Sequence, residues 1–209
     1  MTDIQNKSIQ TFLDELASKS ATPGGGSASA LMGAQGAALI SMACRLTIGK
    51  PQYAEVEAQM QSLLEKAEAL RTELTSLIKA DIDVFNRLMQ AYRLSKDTDA
   101  EKSARSEAIQ TILKDATEVP LACARACKEV IMLSKIAVEK GSVSVVSDTG
   151  AAVMSAYSGL KCAALNVYIN TGSLKDRDFS NAKLAELDAM MKDADVEAEY
   201  IFQQVREKL

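Results

Sequence analysis

The chain has 209 residues, 47% of them apolar and 25% charged, which is the composition of a folded chain with a sizeable core rather than a disordered one. A net charge of −4 argues against a nucleic-acid partner, which needs a basic surface. Histidine is absent, so Ser-His-Asp and Cys-His catalysis, HExxH zinc hydrolysis and histidine proton shuttles are excluded, and acid–base work falls to carboxylates, Lys, Tyr, Cys or the substrate.

Alanine occupies 32 positions against 10 Gly and 3 Pro, a balance of helix formers over breakers that predicts an all-α chain with closely packed backbones. Residues 3–19 read as a first amphipathic helix with Ile4, Ile9, Phe12, Leu13 and Leu16 on one side. The run Ala21-Thr22-Pro23-Gly24-Gly25-Gly26-Ser27 ends it. A second helix then begins near Gly26 or Ser27 and reaches Ile48, with Gly26, Ala30, Gly33 and Ala37 as a stripe of small residues that admits another backbone. The charge-free stretch from Ser20 to Cys44 is too poor in apolar residues for a membrane span, and a buried small-residue helix accounts for it. Gly49-Lys50-Pro51 closes this helix, Gly suiting its C-cap and Pro the next N1.

The third helix carries the clearest periodicity. Positions 53, 60, 67, 74, 81 and 88 interleave with 56, 63, 70, 77, 84 and 91, and eleven of the twelve are apolar, which predicts a long helix packed in a bundle. The exception is Asp81. A carboxylate on a buried seam is costly unless paired or used; a bend turning it to solvent, or a salt bridge, is the structural alternative. A fourth helix is predicted over roughly 99–139, kinked or divided at Pro120. Residues 141–150 read as a loop leading into a fifth helix over about 149–171. A turn from Gly172 to Asp178 precedes a sixth helix over 180–208. No linker, repeat or low-complexity tract interrupts the chain, so residues 1–209 read as one domain: a bundle of about six helices, several long.

The Gly24-Gly25-Gly26-Ser27 run sets bare amides at a helix start, either to hold an anionic or polar ligand or to form a tight turn under a close crossing. It is neither a P-loop nor a GxGxxG fingerprint. Ser147 and Asp148 precede the fifth helix, where either side chain suits an N-cap. Asn166 and Asn170 lie one turn apart on an apolar helix and either bind a ligand or crosslink helices. Lys50 and Arg45 are the cations near these loops. Of Cys44, Cys123, Cys127 and Cys162 only the middle two are close. No histidine supplies co-ligands, so no metal is expected, and the thiols read as buried residues in a reducing cytosol. The first twenty residues lack the apolar core of a secretory signal, which predicts a cytoplasmic protein.

Taken in order, Pro23-Gly24-Gly25-Gly26-Ser27-Ala28, Leu46-Thr47-Ile48-Gly49-Lys50, Asp81-x3-Phe85 with Ala91-Tyr92-Arg93-Leu94, Ser147-Asp148-x-Gly150 and Asn166-Val167-x-Ile169-Asn170 resemble the cyclodeaminase/cyclohydrolase family of folate enzymes over residues 7–208. The resemblance implies an all-α bundle that dimerises and acts on one-carbon tetrahydrofolate derivatives, with no cofactor beyond the folate substrate. It departs from the family pattern at Gly141-Ser142-Val143-Ser144, where Gly-Asn-x-Asn is usual, and at Leu94-Ser95-Lys96, where a proline is usual. The reading is a cytoplasmic methenyltetrahydrofolate cyclohydrolase, forming a homodimer and touching neither nucleic acid nor membrane. Formiminotetrahydrofolate cyclodeaminase is the same-class alternative. A non-catalytic folate-binding or structural dimer, suggested by Ser142 and Ser144, is the alternative of another class. The site expected is Asp81 and Asp148 as one catalytic pair, with Gly24, Gly25, Gly26, Ser27, Lys50, Asn166 and Asn170 binding substrate. The two carboxyls suit a division of roles, Asp81 as base and Asp148 as pterin or cation partner.

Overall fold

The computed structural model describes residues 4–209, and every regular element in that span is helical. The six α-helices are α1 (Ile9–Leu16), α2 (Gly25–Arg45), α3 (Glu57–Tyr92), α4 (Asp99–Lys140), α5 (Val146–Ser173) and α6 (Arg177–Lys208), with 3-10 turns at Ile4–Asn6, Pro51–Val56 and Val143–Val145.

Helix α2 is the hub. It packs on α3, α4 and α5, while α6 lies across α4 and α5. By length and composition α2 is apolar enough to cross a bilayer, but most of that stretch is buried inside the bundle. Small residues let its neighbours in. A Cβ added at Gly36 would stand 2.9 Å from the Ala152 carbonyl oxygen, and one added at Gly159 would stand 2.8 Å from that of Ser29. The order of these contacts, Ser29 with Gly159 and Gly36 with Ala152, makes α2 and α5 antiparallel. The chain leaves α2 through a turn at Gly49, whose φ of 78° is the left-handed conformation glycine adopts without strain.

Boundaries differ from the sequence reading where side chains cap helices. The first helix is confined to Ile9–Leu16 because the Ser8 hydroxyl accepts from the Thr11 amide and starts it there; residue 3 lies outside the described span. Only Phe12 of its apolar side is buried, and Ile9 stays 80% exposed. Helix α6 starts at Arg177, three residues early, capped by the Asp176 carboxylate on the Phe179 amide. Helix α5 starts at Val146 and is not capped by Ser147 or Asp148, both of which lie inside its first turn. From Met60 onward the seam of α3 follows its periodicity, with Met60, Leu63, Ala67, Leu74, Val84, Leu88 and Ala91 buried and Leu70 and Leu77 half-buried, whereas Tyr53 and Val56 fall in the 3-10 turn before the helix.

Pro120 does not divide the fourth helix. Helix α4 runs unbroken from Asp99 to Lys140 with Pro120 buried inside it. A helical proline leaves the carbonyl four residues before it without its usual N–H, and that carbonyl belongs to Ala116. Asn170 of α5 donates its Nδ2 to the Ala116 oxygen at 2.6 Å. A side chain from the neighbouring helix thus replaces the missing backbone donor, which is why the helix continues.

Candidate functional site

The N-terminus of α2 carries no side-chain cap of its own, because its N-cap is Gly24. Asp81, projecting from α3, takes that position. Its Oδ2 accepts from Ser27 Oγ at 2.8 Å, and the Ser27 amide donates to the same carboxylate. The carboxylate fits there only because residue 26 is glycine: a Cβ at that position would lie 2.1 Å from Oδ1. The seam position that looked anomalous in the sequence is therefore where α3 meets the start of α2.

Burial pushes the Asp81 carboxyl above the ordinary range, outweighing the Ser27 hydroxyl and amide that pull it down. The side chain remains partly exposed through a cleft. One arm, about 140 Å³, is lined by Thr22, Gly24, Gly25, Gly26, Asp81, Phe85 and Asn166. A second, about 330 Å³, shares Asp81, Phe85 and Asn166 and continues between α3 and α5 past Leu88, Asn170 and Ile169 to Tyr92. The Asp81-to-Tyr92 wall is eleven residues of helix, about 16 Å long. The cleft is polar at the Asp81 end and apolar along its length, the usual character of a small-molecule site.

The two asparagines stand in this cleft with their amide donors engaged. Asn166 Nδ2 donates to Cys162 O at 3.0 Å within α5 and sits 3.9 Å from where a Gly25 Cβ would be. Asn170 Nδ2 serves Ala116, as above. Each keeps its carbonyl oxygen as an acceptor. The geometry thus brings Gly24, Gly25, Gly26, Ser27, Asp81, Asn166 and Asn170 to one place.

Lys50 and Asp148 are elsewhere in the subunit. Lys50 Nζ donates to Ser142 Oγ at 3.0 Å and to Ser144 Oγ at 3.5 Å, past the other end of α2. The same loop is pinned by the Ser142 amide on Thr47 Oγ1 and by the Val143 amide on the Tyr53 hydroxyl. That amide, the Ser142 hydroxyl and the charges of Lys50 and Lys208 hold the Tyr53 phenol below its ordinary pKa. Asp148 follows this loop in the first turn of α5 and has no ion-pair partner among the described residues. Asn166, in the Asp81 cleft, lies eighteen residues further along the same helix, about 27 Å away. Asp81 and Asp148, expected to share one site, are not brought together within one subunit, and the reason is the length of α5. Nothing in the local sequence around either aspartate states that distance.

On the far wall of the cleft stand Tyr92, Leu113 and Ala116. Tyr92 belongs to the Ala91-Tyr92-Arg93-Leu94 motif that carries the resemblance, but no role was assigned to it. Leu113 and Ala116 have no local signal, since they face the cleft only through the α4–α5 packing. Among the described residues no three of Cys, Asp and Glu converge on a point where a metal ion would fit.

Comparison with known proteins agrees with this architecture. The family model for Formiminotransferase-cyclodeaminase matches residues 8–189. The Methenyltetrahydrofolate cyclohydrolase of Methylorubrum extorquens is 53% identical over 98% of this chain and 98% of its own length. The Formimidoyltransferase-cyclodeaminase of Sus scrofa is 33% identical over 92% of this chain, which spans only 36% of that larger protein. The crystal structure of formiminotetrahydrofolate cyclodeaminase from Thermotoga maritima superposes with a TM-score of 0.84 at 28% identity, covering 99% of this chain and 98% of that one. With the family pattern and the relatives spanning nearly its whole length, the chain belongs to the formiminotransferase-cyclodeaminase family.

Proposed function

We propose that the protein hydrolyses 5,10-methenyltetrahydrofolate to 10-formyltetrahydrofolate in one-carbon metabolism. The observation that carries this reading is Asp81, a partly buried carboxylate at the polar end of an elongated apolar cleft, in a chain 53% identical to a cyclohydrolase.

The bridging carbon of the substrate is the centre of an amidinium-like cation and is already electrophilic. What the site must add is a water held by a base, and a proton for the departing nitrogen. Asp81 suits both tasks. Its Oδ2 is fixed by Ser27, so the carboxylate is positioned to take a proton from water as the water oxygen bonds to the bridging carbon. The tetrahedral adduct then collapses: the bond from carbon to N5 breaks, the nitrogen takes the pair and the proton that Asp81 holds, and the hydroxyl proton leaves to solvent as the formyl carbonyl forms. The raised pKa of Asp81 favours this relay, because a carboxyl titrating nearer neutrality gives its proton back more readily. The carbonyl oxygens of Asn166 and Asn170 are free to accept from the pterin, and the glycine run leaves room for a flat ring.

Asp148 and Lys50 enter through a homodimer. Leu165 and Ile169 of α5, 66% and 70% exposed, share a helical face with Met154, and α2 adds the exposed Gln35 and Ala38, with Leu46 just past its end. Such an apolar face on the two hub helices is suited to a second copy. A two-fold axis across it exchanges the ends of α2 and α5, so the Lys50–Asp148 end of one subunit approaches the Asp81 cleft of its partner. There Asp148 balances the cationic substrate and Lys50 donates to a polar oxygen of it. The four free thiols fit a reducing compartment, and we place the enzyme in the cytoplasm with no cofactor beyond the folate.

Cyclodeamination of formiminotetrahydrofolate is the second reading, favoured by the Thermotoga structure. Decay of methenyl absorbance on adding purified protein tests the first reading; ammonia release from formiminotetrahydrofolate without methenyl decay replaces it with the second.

A further inference from the structure

At the end of α2 away from Asp81, a small hydrogen-bond network surrounds Lys50. Tyr53 follows it across the first turn of the 3-10 segment, its amide donating to the Lys50 carbonyl at 2.9 Å. Side chains three apart eclipse in such a turn, so Lys50 and Tyr53 reach the same loop. Lys50 Nζ donates to Ser142 Oγ at 3.0 Å and to Ser144 Oγ at 3.5 Å. The two serine hydroxyls share a hydrogen bond of 2.9 Å. Tyr53 completes the set: its phenol oxygen accepts from the Val143 amide at 3.1 Å and hydrogen-bonds the Ser142 side chain. An ammonium brings three hydrogens, an amide one and each hydroxyl one. The contacts use all but two of them. One hydrogen stays on Lys50 Nζ, and one stays at an end of the hydroxyl chain Tyr53–Ser142–Ser144. An acceptor arriving beside Lys50 draws the second to the Tyr53 end, because a phenol is more acidic than a serine hydroxyl. No carboxylate pairs with Lys50 among the described residues, so its charge is undivided.

We infer that Tyr53 is a further substrate-binding residue, whose hydroxyl donates beside Lys50 to the ring oxo group of the folate head. This rests on the proposed homodimer, in which the Lys50 end of one subunit meets the Asp81 cleft of its partner. The part of the substrate held at Asp81 is the head, because the reacting carbon bridges its ring nitrogen. That fused ring carries a single oxygen, the oxo group, with two lone pairs to fill. Lys50 Nζ and the Tyr53 hydroxyl supply one hydrogen each, and both touch Ser142 Oγ, which fixes their spacing before any ligand arrives. The charges around the phenol suit a donor. Lys50 stands on its own turn and Lys208 comes from α6, where it donates to the Val138 carbonyl at 2.5 Å. These two cations, with the Val143 amide and the Ser142 hydroxyl, hold the phenol below its ordinary pKa, and a more acidic hydroxyl makes the stronger hydrogen bond. Ser142 and Ser144 thereby acquire a function as the link that aligns the two donors.

The test uses the full chain as wild type, Tyr53→Phe, Lys50→Met and the double variant. Calorimetry measures their affinities for tetrahydrofolate and for 6-methyltetrahydropterin, a head without linker or tail. Tyr53→Phe removes one oxygen, and the Val143 amide it releases turns to water, since Val143 is 57% exposed. Losing one hydrogen bond raises Kd by about three- to tenfold. That rise is expected for both ligands, in the wild-type and the Lys50→Met background alike, with Tm and the dimer equilibrium unchanged. Were the phenol only a strut for the loop that holds Lys50, its removal would change nothing once Lys50 is Met, and that result overturns the inference. A loss confined to tetrahydrofolate overturns it too, because the contact would then lie outside the head. A wild type that stays monomeric in light scattering overturns it together with the homodimer. If the wild type binds both ligands and hydrolyses no methenyltetrahydrofolate, the cyclohydrolase reading fails, and the Tyr53 contact stands or falls on the same affinities.

Discussion

Gly26 is the position where the account is most exposed to experiment. Replacing it with alanine puts a Cβ 2.1 Å from Asp81 Oδ1 and 2.5 Å from Cγ, where ordinary contact begins near 3.4 Å. The backbone of α2 cannot withdraw, because Ser27 and Ser29 behind it are fully buried. The carboxylate must therefore retreat by about 1.3 Å, the gap between those contacts, and in doing so lose its hydrogen bonds to Ser27. A displacement of about 1 Å at a reacting group costs roughly 10²-fold in rate. The crowding itself costs about 1–3 kcal/mol, which for a chain of this size is a Tm loss of several degrees. The assay is methenyl decay beside a thermal melt. Gly25 provides the contrast: its Cβ would meet nothing nearer than Asn166 Nδ2 at 3.9 Å. Gly25→Val therefore fills the 140 Å³ arm of the cleft, raising KM more than it lowers Tm. A Gly26→Ala enzyme with wild-type kcat/KM would refute the reasoning, since Asp81 would then not need its observed position.

Because burial raises the Asp81 pKa and the base must be ionised, kcat/KM falls with acid from a pH above the usual carboxylate range, and the residual activity of Asp81→Asn lacks that limb. The sign for stability is opposite: a raised folded pKa favours the protonated form, so stability is present below the unfolded value and lost as pH rises through the folded one. Asp81→Asn should therefore gain Tm relative to wild type between pH 4 and pH 8, measured by calorimetry. Asn170→Ala leaves the Ala116 carbonyl buried without a donor and costs about 1–3 kcal/mol in denaturant titration. Asp148→Asn lowers turnover while its monomer–dimer equilibrium, read by light scattering, stays at wild type. Chelators and thiol blockers leave turnover intact, since Cys44, Cys123 and Cys127 are buried and burial pushes the Cys44 thiol up to about 11.

What the sequence disclosed and what it hid divide along contact distance. The break at Asp81 in the α3 seam was visible because heptad periodicity is local, and so was the glycine run that accommodates it. That the two features meet was not: Ser27 and Asp81 are 54 positions apart. The same separation hid the rescue of Ala116 by Asn170, which is why Pro120 read as a break. Lys50 and Asp148 were grouped with the glycine run through the family resemblance and, for Asp148, its place at a helix start; the length of α2 sets Lys50, and that of α5 sets Asp148, at the opposite end of the bundle. The Ser142 and Ser144 hydroxyls, read as departures from a pattern, turn out to hold Lys50.

The central claim is that Asp81 moves the proton in methenyl hydrolysis. Its most direct test is methenyltetrahydrofolate decay followed by absorbance with wild type and Asp81→Asn, at matched circular dichroism and with the uncatalysed rate subtracted. The account predicts saturable hydrolysis by the wild type and a loss of roughly 10²-fold or more in kcat for the variant. A folded Asp81→Asn protein turning over at the wild-type rate would contradict it.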